Sequence, residues 1–273
     1  MHINLEGRVA VVTGAGRGIG HDLVLRLAHE GVTTVALDVN ESNLVALQRE
    51  LDGIGTPADQ FVCDVRDADR IAAVIAEVHD QHGRIDILVN NAGVAVGGPV
   101  ETMSEETWRL AQDVNVTGAF LMCRAVIPIM KAQRAGRIIN AASFAAIVPS
   151  VGGTAYGTGK AAVAHFTRTL AGELGPWDIT CNAYAPGMVP TEMNHFAERS
   201  EETQERLLDL LTLRRWGSSK DIADLVCFLA SDQAGYITGT LIDISGGKLA
   251  TQVPRAAYDH AAKDNTASIE TKE

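Results

Sequence analysis

The chain has 273 residues, 46% of them hydrophobic, and a formal net charge of −11. An acidic balance with no basic run argues against nucleic acid and anionic membrane surfaces as partners. No unbroken apolar run reaches the ~18 residues of a membrane span, and the N-terminus lacks a basic region followed by an apolar one, so a cytoplasmic protein is expected.

Val9 to Val12 is a short apolar run that ends in Thr13-Gly14-Ala15-Gly16-Arg17-Gly18-Ile19-Gly20. Leu23, Val24, Leu27 and Ala28 then recur at helical spacing, and Gly31 closes the segment. Thr34 to Leu37 predicts a second strand ending at Asp38, and residues 41–52 a helix. Phe61 to Val65 predicts a third strand, and Ile71, Val74, Ile75 and Val78 mark a helix over 67–82. Ile85 to Val89 is the fourth strand, running into Asn90-Asn91-Ala92-Gly93. One long helix is expected over about 104–134, kinked at Pro128. Arg137 to Ala141 is a fifth strand that leads into Ser143, and a helix carrying Tyr156 and Lys160 follows. Ile179 to Ala185 is the sixth strand, ending in Pro186-Gly187. Residues 194–212 are charged and amphipathic, Ile222 to Leu229 form another helix, and Leu241 to Ile244 a seventh strand.

Strands that alternate with helices, most of them continuous apolar runs, predict a parallel sheet covered on both faces. The expected fold class is α/β: one Rossmann-type, doubly wound parallel sheet of about seven strands over residues 1–247. Residues 248–273 form a C-terminal extension, either a tail or an intersubunit arm, which Val253, Ala256, Ala257 and Tyr258 would anchor. Cys63, Cys123, Cys181 and Cys227 are far apart, and the eight histidines are scattered. Buried free thiols and no metal site are expected.

A glycine-rich turn between strand and helix lets backbone amides approach a phosphate, and the helix N-terminus favours the anion. The spacing here, Gly14-x-x-x-Gly18-x-Gly20, differs from Gly-x-Gly-x-x-Gly, yet its strand-turn-helix setting points to a dinucleotide. A tight structural turn is the alternative. Asp38 lies 18 residues beyond Gly20. An acid there accepts hydrogen bonds from the adenosine ribose and repels a 2′-phosphate, which favours NAD over NADP. Arg17 pulls the other way, because a guanidinium in this loop can bind that phosphate. Asp64 and Asn91 also sit at strand ends, on the edge where an open parallel sheet binds ligands. Asp64 would serve the adenine side and Asn91 the ribose, unless each simply caps a turn.

Tyr156 and Lys160 are four apart, so a helix places them on one face. A neighbouring ammonium favours the phenolate. Bringing a phenol from ~10 to ~7 takes roughly 4 kcal/mol, more than one lysine supplies, so a second positive charge is needed. Taken alone, the pair reads first as a surface pair.

Thr13-Gly14-x-x-x-Gly18-Ile19-Gly20, Asn90-Asn91-Ala92-Gly93, Asn115, Ser143, Tyr156-x-x-x-Lys160 and Pro186-Gly187 occur in order. Together they resemble the short-chain dehydrogenase/reductase family in its short, one-domain branch, over about residues 5–247. The 13-residue interval from Ser143 to Tyr156 is the family's usual one. The chain is also similar to members known as 3-oxoacyl-carrier-protein reductases and as sugar or polyol dehydrogenases. The resemblance implies a seven-stranded sheet and usually a homotetramer. It makes Tyr156 the general acid/base, with Lys160 lowering its pKa and holding the nicotinamide ribose. Ser143 would orient the substrate oxygen, and Asn115 would hold a water that relays protons by way of Lys160. The oxidised nicotinamide would supply the missing positive charge. The implied cofactor contacts are Gly14, Arg17, Gly18, Ile19 and Gly20 in the turn, then Asp38, Asp64, Val65, Asn91 and Gly93. Tyr156, Lys160, Pro186, Gly187, Val189 and Thr191 complete them at the nicotinamide end.

The substrate wall is expected from Val94 to Val96, Phe144 to Val148 and Met188 to about Leu213, with Val94, Ala145, Val148, Met188 and Met193 foremost. No arginine stands poised there for a carboxylate or phosphate. A moderately apolar or neutral polyhydroxy alcohol or ketone is expected. The stretch 190–212 is either a mobile lid or an ordered surface helix. The leading expectation is an NAD-dependent alcohol dehydrogenase or ketone reductase. Its alternatives are an NADPH-dependent ketone or 3-oxoacyl thioester reductase and, more remotely, a catalytically silent nucleotide-sensing module.

Overall fold

The computed structural model describes residues 3–56, 58–192 and 196–262. Seven apolar runs pair as one parallel sheet: β1 (Val9–Thr13), β2 (Thr33–Asp38), β3 (Asp59–Val62), β4 (Ile87–Asn90), β5 (Gly136–Ala141), β6 (Ile179–Pro186) and β7 (Leu241–Ile244). Their order is β3-β2-β1-β4-β5-β6-β7. Successive side chains of a strand point to opposite faces, so the sheet needs two cores. Ala10 and Val12 of β1 enter one core, and Val9 and Val11 the other. On the first face lie α1 (Gly18–His29), α2 (Glu41–Gly53) and α8 (Ser219–Ala230), through Leu23, Leu27, Leu47 and Val226. On the second lie α3 (Ala68–His82), α5 (Gly118–Gln133) and α6 (Thr154–Leu174), through Ile71, Val78, Val126 and Leu170.

Chain direction across the sheet reverses between β1 and β4, which neighbour each other in the middle. The loops beyond their C-terminal ends therefore diverge and leave a crevice. The glycine turn after β1 and the Asn91–Gly93 stretch after β4 both open into it.

Three elements depart from expectation, each for a local reason. β3 ends at Val62 because β2, its only partner, ends at Asp38 in the same register. Cys63, Asp64 and Val65 therefore leave the sheet toward the crevice. β4 begins at Ile87, since the backbone of Ile85 is bonded on both sides by the Gln133 side chain, at 2.9 and 3.0 Å. The long helix is interrupted at a π turn, Asp113–Thr117, between α4 (Glu105–Gln112) and α5, while Pro128 sits inside α5 without ending it. A π turn inserts one extra residue and is frequent at functional sites; here it turns Asn115 inward. The stretch Glu105–Gln133 is long and apolar enough to cross a membrane. Its residues Leu121, Met122, Val126 and Met130 instead pack on the sheet.

Residues 201–208 form α7 (Glu201–Leu208), and the chain returns at its C-terminus to the segment that follows. Leu211 and Lys248 make an antiparallel bridge. Arg255 grips both carboxylate oxygens of Asp209 at 3.0 Å, and the Tyr258 hydroxyl donates to the Thr212 carbonyl at 2.8 Å. Of the expected anchors, Tyr258 contributes this bond, whereas Val253 is exposed and Pro254 is buried beside it.

Candidate active site

The C-terminal ends of β1, β2, β4, β5 and β6 enclose one cavity of about 400 Å³. At one end the glycine turn is closed by contact. A Cβ on Gly14 would stand 2.8 Å from the Ala92 Cα, and one on Gly20 would overlap the Gly14 carbonyl. Only glycine allows the turn to pack this tightly. α1 starts at Gly18 with no side-chain cap from Arg17, its N-cap residue. Its first amides are therefore free of side chains and suited to an anion.

Asp38 faces this turn from the end of β2. Its Oδ2 accepts from the Gly16 N–H and its Oδ1 from the Asn40 N–H, both at 2.9 Å. Arg17 points elsewhere, across the mouth of the cavity to Glu192 at 3.2 Å. Asp64 lines the cavity, but Arg66 binds it at 2.6 Å, and the hydrogen bonds from Arg66 hold its carboxyl below the usual range. The Asn91 amide is engaged within the protein. It donates to the carbonyls of Thr13 and Gly14 at 3.1 Å each and accepts from the Tyr184 hydroxyl at 3.1 Å.

The other end holds the titratable groups. Ser143 begins a single 3-10 turn, Phe144–Ala146, by accepting from the Ala145 N–H at 3.1 Å. Tyr156 and Lys160 stand on the first turns of α6. Lys160 is only 4% exposed, and its Nζ donates to the Ala141 carbonyl at 2.7 Å. Burial pushes this amine down to about 8. The Nζ lies 5.8 Å from the centre of the Tyr156 ring. Burial raises the Tyr156 phenol, and a hydrogen bond with Ser143 opposes that rise. Burial therefore works against the phenolate at this position.

Asn115 stands apart from the cavity wall. Its Oδ1 accepts from the Val94 N–H at 3.1 Å and its Nδ2 donates to the Val94 carbonyl at 3.0 Å. The side chain thus fixes the loop after β4, and it borders a void of about 10 Å³ shared with Asn90 and Ala141.

Every residue expected at the cofactor lines the main cavity except Gly20, which packs beneath the turn. Ser143 lines it as well. Of the expected substrate wall, Val94 lines it, whereas Ala145, Val148 and Met188 do not. Ala145 belongs to the turn that Ser143 caps, Val148 is turned to solvent, and Met188 is buried in packing. Met193 lies outside the described residues. Leu110 and Val114 supply apolar lining instead. They come from α4 and the π turn, a place invisible without the helix interruption. Tyr184 was also missed, although it is the one aromatic residue in the otherwise small-residue run of β6.

The residues present fit a dinucleotide: a glycine turn at a helix N-terminus, an acid beside it, and a buried amine with a part-buried phenol at the other end of one cavity. The chain matches the family model described as enoyl-(acyl carrier protein) reductase over residues 14–248. It is 39% identical over 245 residues to the 3-oxoacyl-[acyl-carrier-protein] reductase of Thermotoga maritima, covering 90% of this chain and 99% of the relative. It is 36% identical over 251 residues to the 2,3-dihydro-2,3-dihydroxybenzoate dehydrogenase of Bacillus subtilis, covering 89% and 96%. Among solved structures, levodione reductase matches with a TM-score of 0.86 at 31% identity, covering 90% of this chain and 99% of that one.

Proposed function

Because the chain belongs to the short-chain dehydrogenase/reductase family, an oxidoreductase family that binds a nicotinamide cofactor, we propose an NAD-dependent enzyme acting between a secondary alcohol and its ketone. One observation carries the choice of cofactor. The Asp38 carboxylate stands at the ribose end, while Arg17, the cation able to take a 2′-phosphate, is paired with Glu192. Bringing a 2′-phosphate beside Asp38 would set like charges against each other.

The proposed chemistry uses four residues. Ser143 donates to the substrate oxygen and holds it toward Tyr156. In oxidation the Tyr156 phenolate takes the hydroxyl proton, and in reduction the phenol returns it. Lys160 holds a positive charge beside Tyr156 and would hold the nicotinamide ribose. When bound, the cofactor takes or gives the hydride and, oxidised, adds positive charge near the phenol. Asn115 keeps the Val94 loop in place; with its amide bonded to Val94, a relay water would have to be held by another group. The apolar contribution of Val94, Leu110, Val114 and Val189 to the cavity supports a neutral, moderately apolar substrate.

A second reading is an NADPH-dependent 3-oxoacyl thioester reductase. The name of the Thermotoga relative favours it, as does the largely exposed Arg17–Glu192 pair, which can open at little cost. We further infer a cytoplasmic homotetramer, with residues 1–247 as the catalytic domain and 248–273 as an extension. The test is a panel of sugars, polyols, hydroxy acids, steroids and aryl alcohols, each with NAD⁺ and NADP⁺, followed by the absorbance of the reduced cofactor. Turnover with NAD⁺ is expected. Tight NADPH binding without NADH binding would overturn the choice of cofactor, and unchanged turnover in Y156F would overturn the mechanism.

A further inference from the structure

β6 is built from small side chains around one large one. Ala183 and Ala185 flank Tyr184, which is fully buried and borders the cavity. β5 lies between β6 and β4, and at this level it presents Ala141, the register partner of Tyr184. A methyl group there leaves room for the phenol to pass over β5 and reach the end of β4. The hydroxyl meets Asn91 at 3.1 Å.

The orientation of the Asn91 amide then follows by counting donors. Its NH₂ group makes two bonds, to the Thr13 and Gly14 carbonyls. Its oxygen must therefore face Tyr184, and the phenolic proton is committed to it. The Gly14 carbonyl is the atom against which Gly20 packs. A continuous series of contacts thus runs from β6, through Tyr184 and Asn91, to the turn that would face the coenzyme phosphates. We propose that Tyr184 is a positioning residue for the coenzyme, holding Asn91 and through it the glycine turn in binding geometry. This inference rests on the coenzyme site described above.

Removing the hydroxyl takes the donor from a part-buried hydrogen bond and leaves the Asn91 oxygen without its protein partner, which loosens the hold of the amide on the turn carbonyls. Tyr184 takes no part in the proton transfer, because its proton points to Asn91. Burial, with the neighbouring Tyr156 adding to it, raises the phenol and keeps it protonated.

The test begins with NADH binding to the wild-type enzyme by fluorescence titration. Absence of binding there would defeat the coenzyme reading itself. With wild-type binding in hand, Y184F should raise the Kd for NADH and the KM for NAD⁺ about tenfold, the loss of one part-buried hydrogen bond. It should leave kcat at saturating NAD⁺, and the pH profile of kcat, within about twofold. In an N91A background, Y184F should add nothing further to the Kd. N91D is a second variant that keeps Tyr184 and an acceptor for it but cannot donate to the turn carbonyls; it too should weaken NADH binding at least tenfold. A Kd within twofold of wild type in Y184F, a fall in kcat without a change in Kd, or full additivity with N91A would each overturn the proposal.

Discussion

The two ends of the cavity are built on opposite plans. At the glycine turn, polar groups are satisfied within the protein: Asp38 takes two backbone N–H groups, Asn91 takes three partners, and the glycines touch backbone directly. At the α6 end stand a buried amine and a part-buried phenol with few partners, and desolvation displaces both from their usual pKa values. The first end is complete before a ligand arrives. The second holds its titratable groups with less solvation than they have in water. Packing dominates one end, and withheld solvation the other.

Substitutions at the α6 end should give the largest loss of rate with the smallest loss of stability. Y156F is expected to lower kcat about 10³-fold, within the range for a lost general acid/base. K160M should lower it comparably while the unfolding temperature at pH 7 holds or rises. For Lys160 the sign follows from its folded pKa of about 8, below the value near 10.4 of an unfolded lysine. The unfolded chain binds more protons between those two values, so this group's contribution to stability rises with pH across that window. Thermal melts of wild type and K160M from pH 7 to 10 measure the difference, which should shrink as pH rises. A melting point for K160M far below wild type at pH 7 would contradict the contrast between the ends.

At the turn the order should reverse. G20A forces a methyl into the Gly14 carbonyl, so NADH affinity should fall about 100-fold, with any residual kcat at saturation far less affected. Calorimetric titration separates the two. D38N is a smaller change, because an amide oxygen can still accept from Gly16 while the charge is gone. The ratio of kcat/KM for NADP⁺ over NAD⁺ should rise about tenfold, and an unchanged ratio would reassign the selectivity to other residues. E192A should have the smallest effect. The Arg17–Glu192 pair is exposed and worth at most about 1 kcal/mol, so NAD⁺ affinity should change no more than a few-fold.

Much of this architecture was legible from residue order. Apolar runs with alternating helical stripes located the strands, because a parallel sheet buried on both faces leaves few polar positions. Glycine spacing and Asp38 located the cradle, because close backbone approach tolerates no side chain. What the sequence misplaced depends on partners far away in the chain. β3 stops where β2 stops, and Ile85 is taken up by Gln133, 48 residues later. The π turn at Asp113–Thr117 accompanies the bonds of Asn115 to Val94, which lie 21 residues apart and leave no local mark in the sequence.

By itself, then, the sequence determined the order of strands and helices and the glycine turn, which follow from periodicity and from steric rules that act within a few residues; Tyr156 and Lys160 stood out only through the family resemblance of the whole motif set. Only the tertiary structure decided which side chains face the cavity, that Arg17 is drawn to Glu192, and that Tyr184 reaches over Ala141 to Asn91. Each depends on distances between segments that are 40 or more residues apart in the chain. Such distances are fixed by sheet register and packing, which no local pattern encodes.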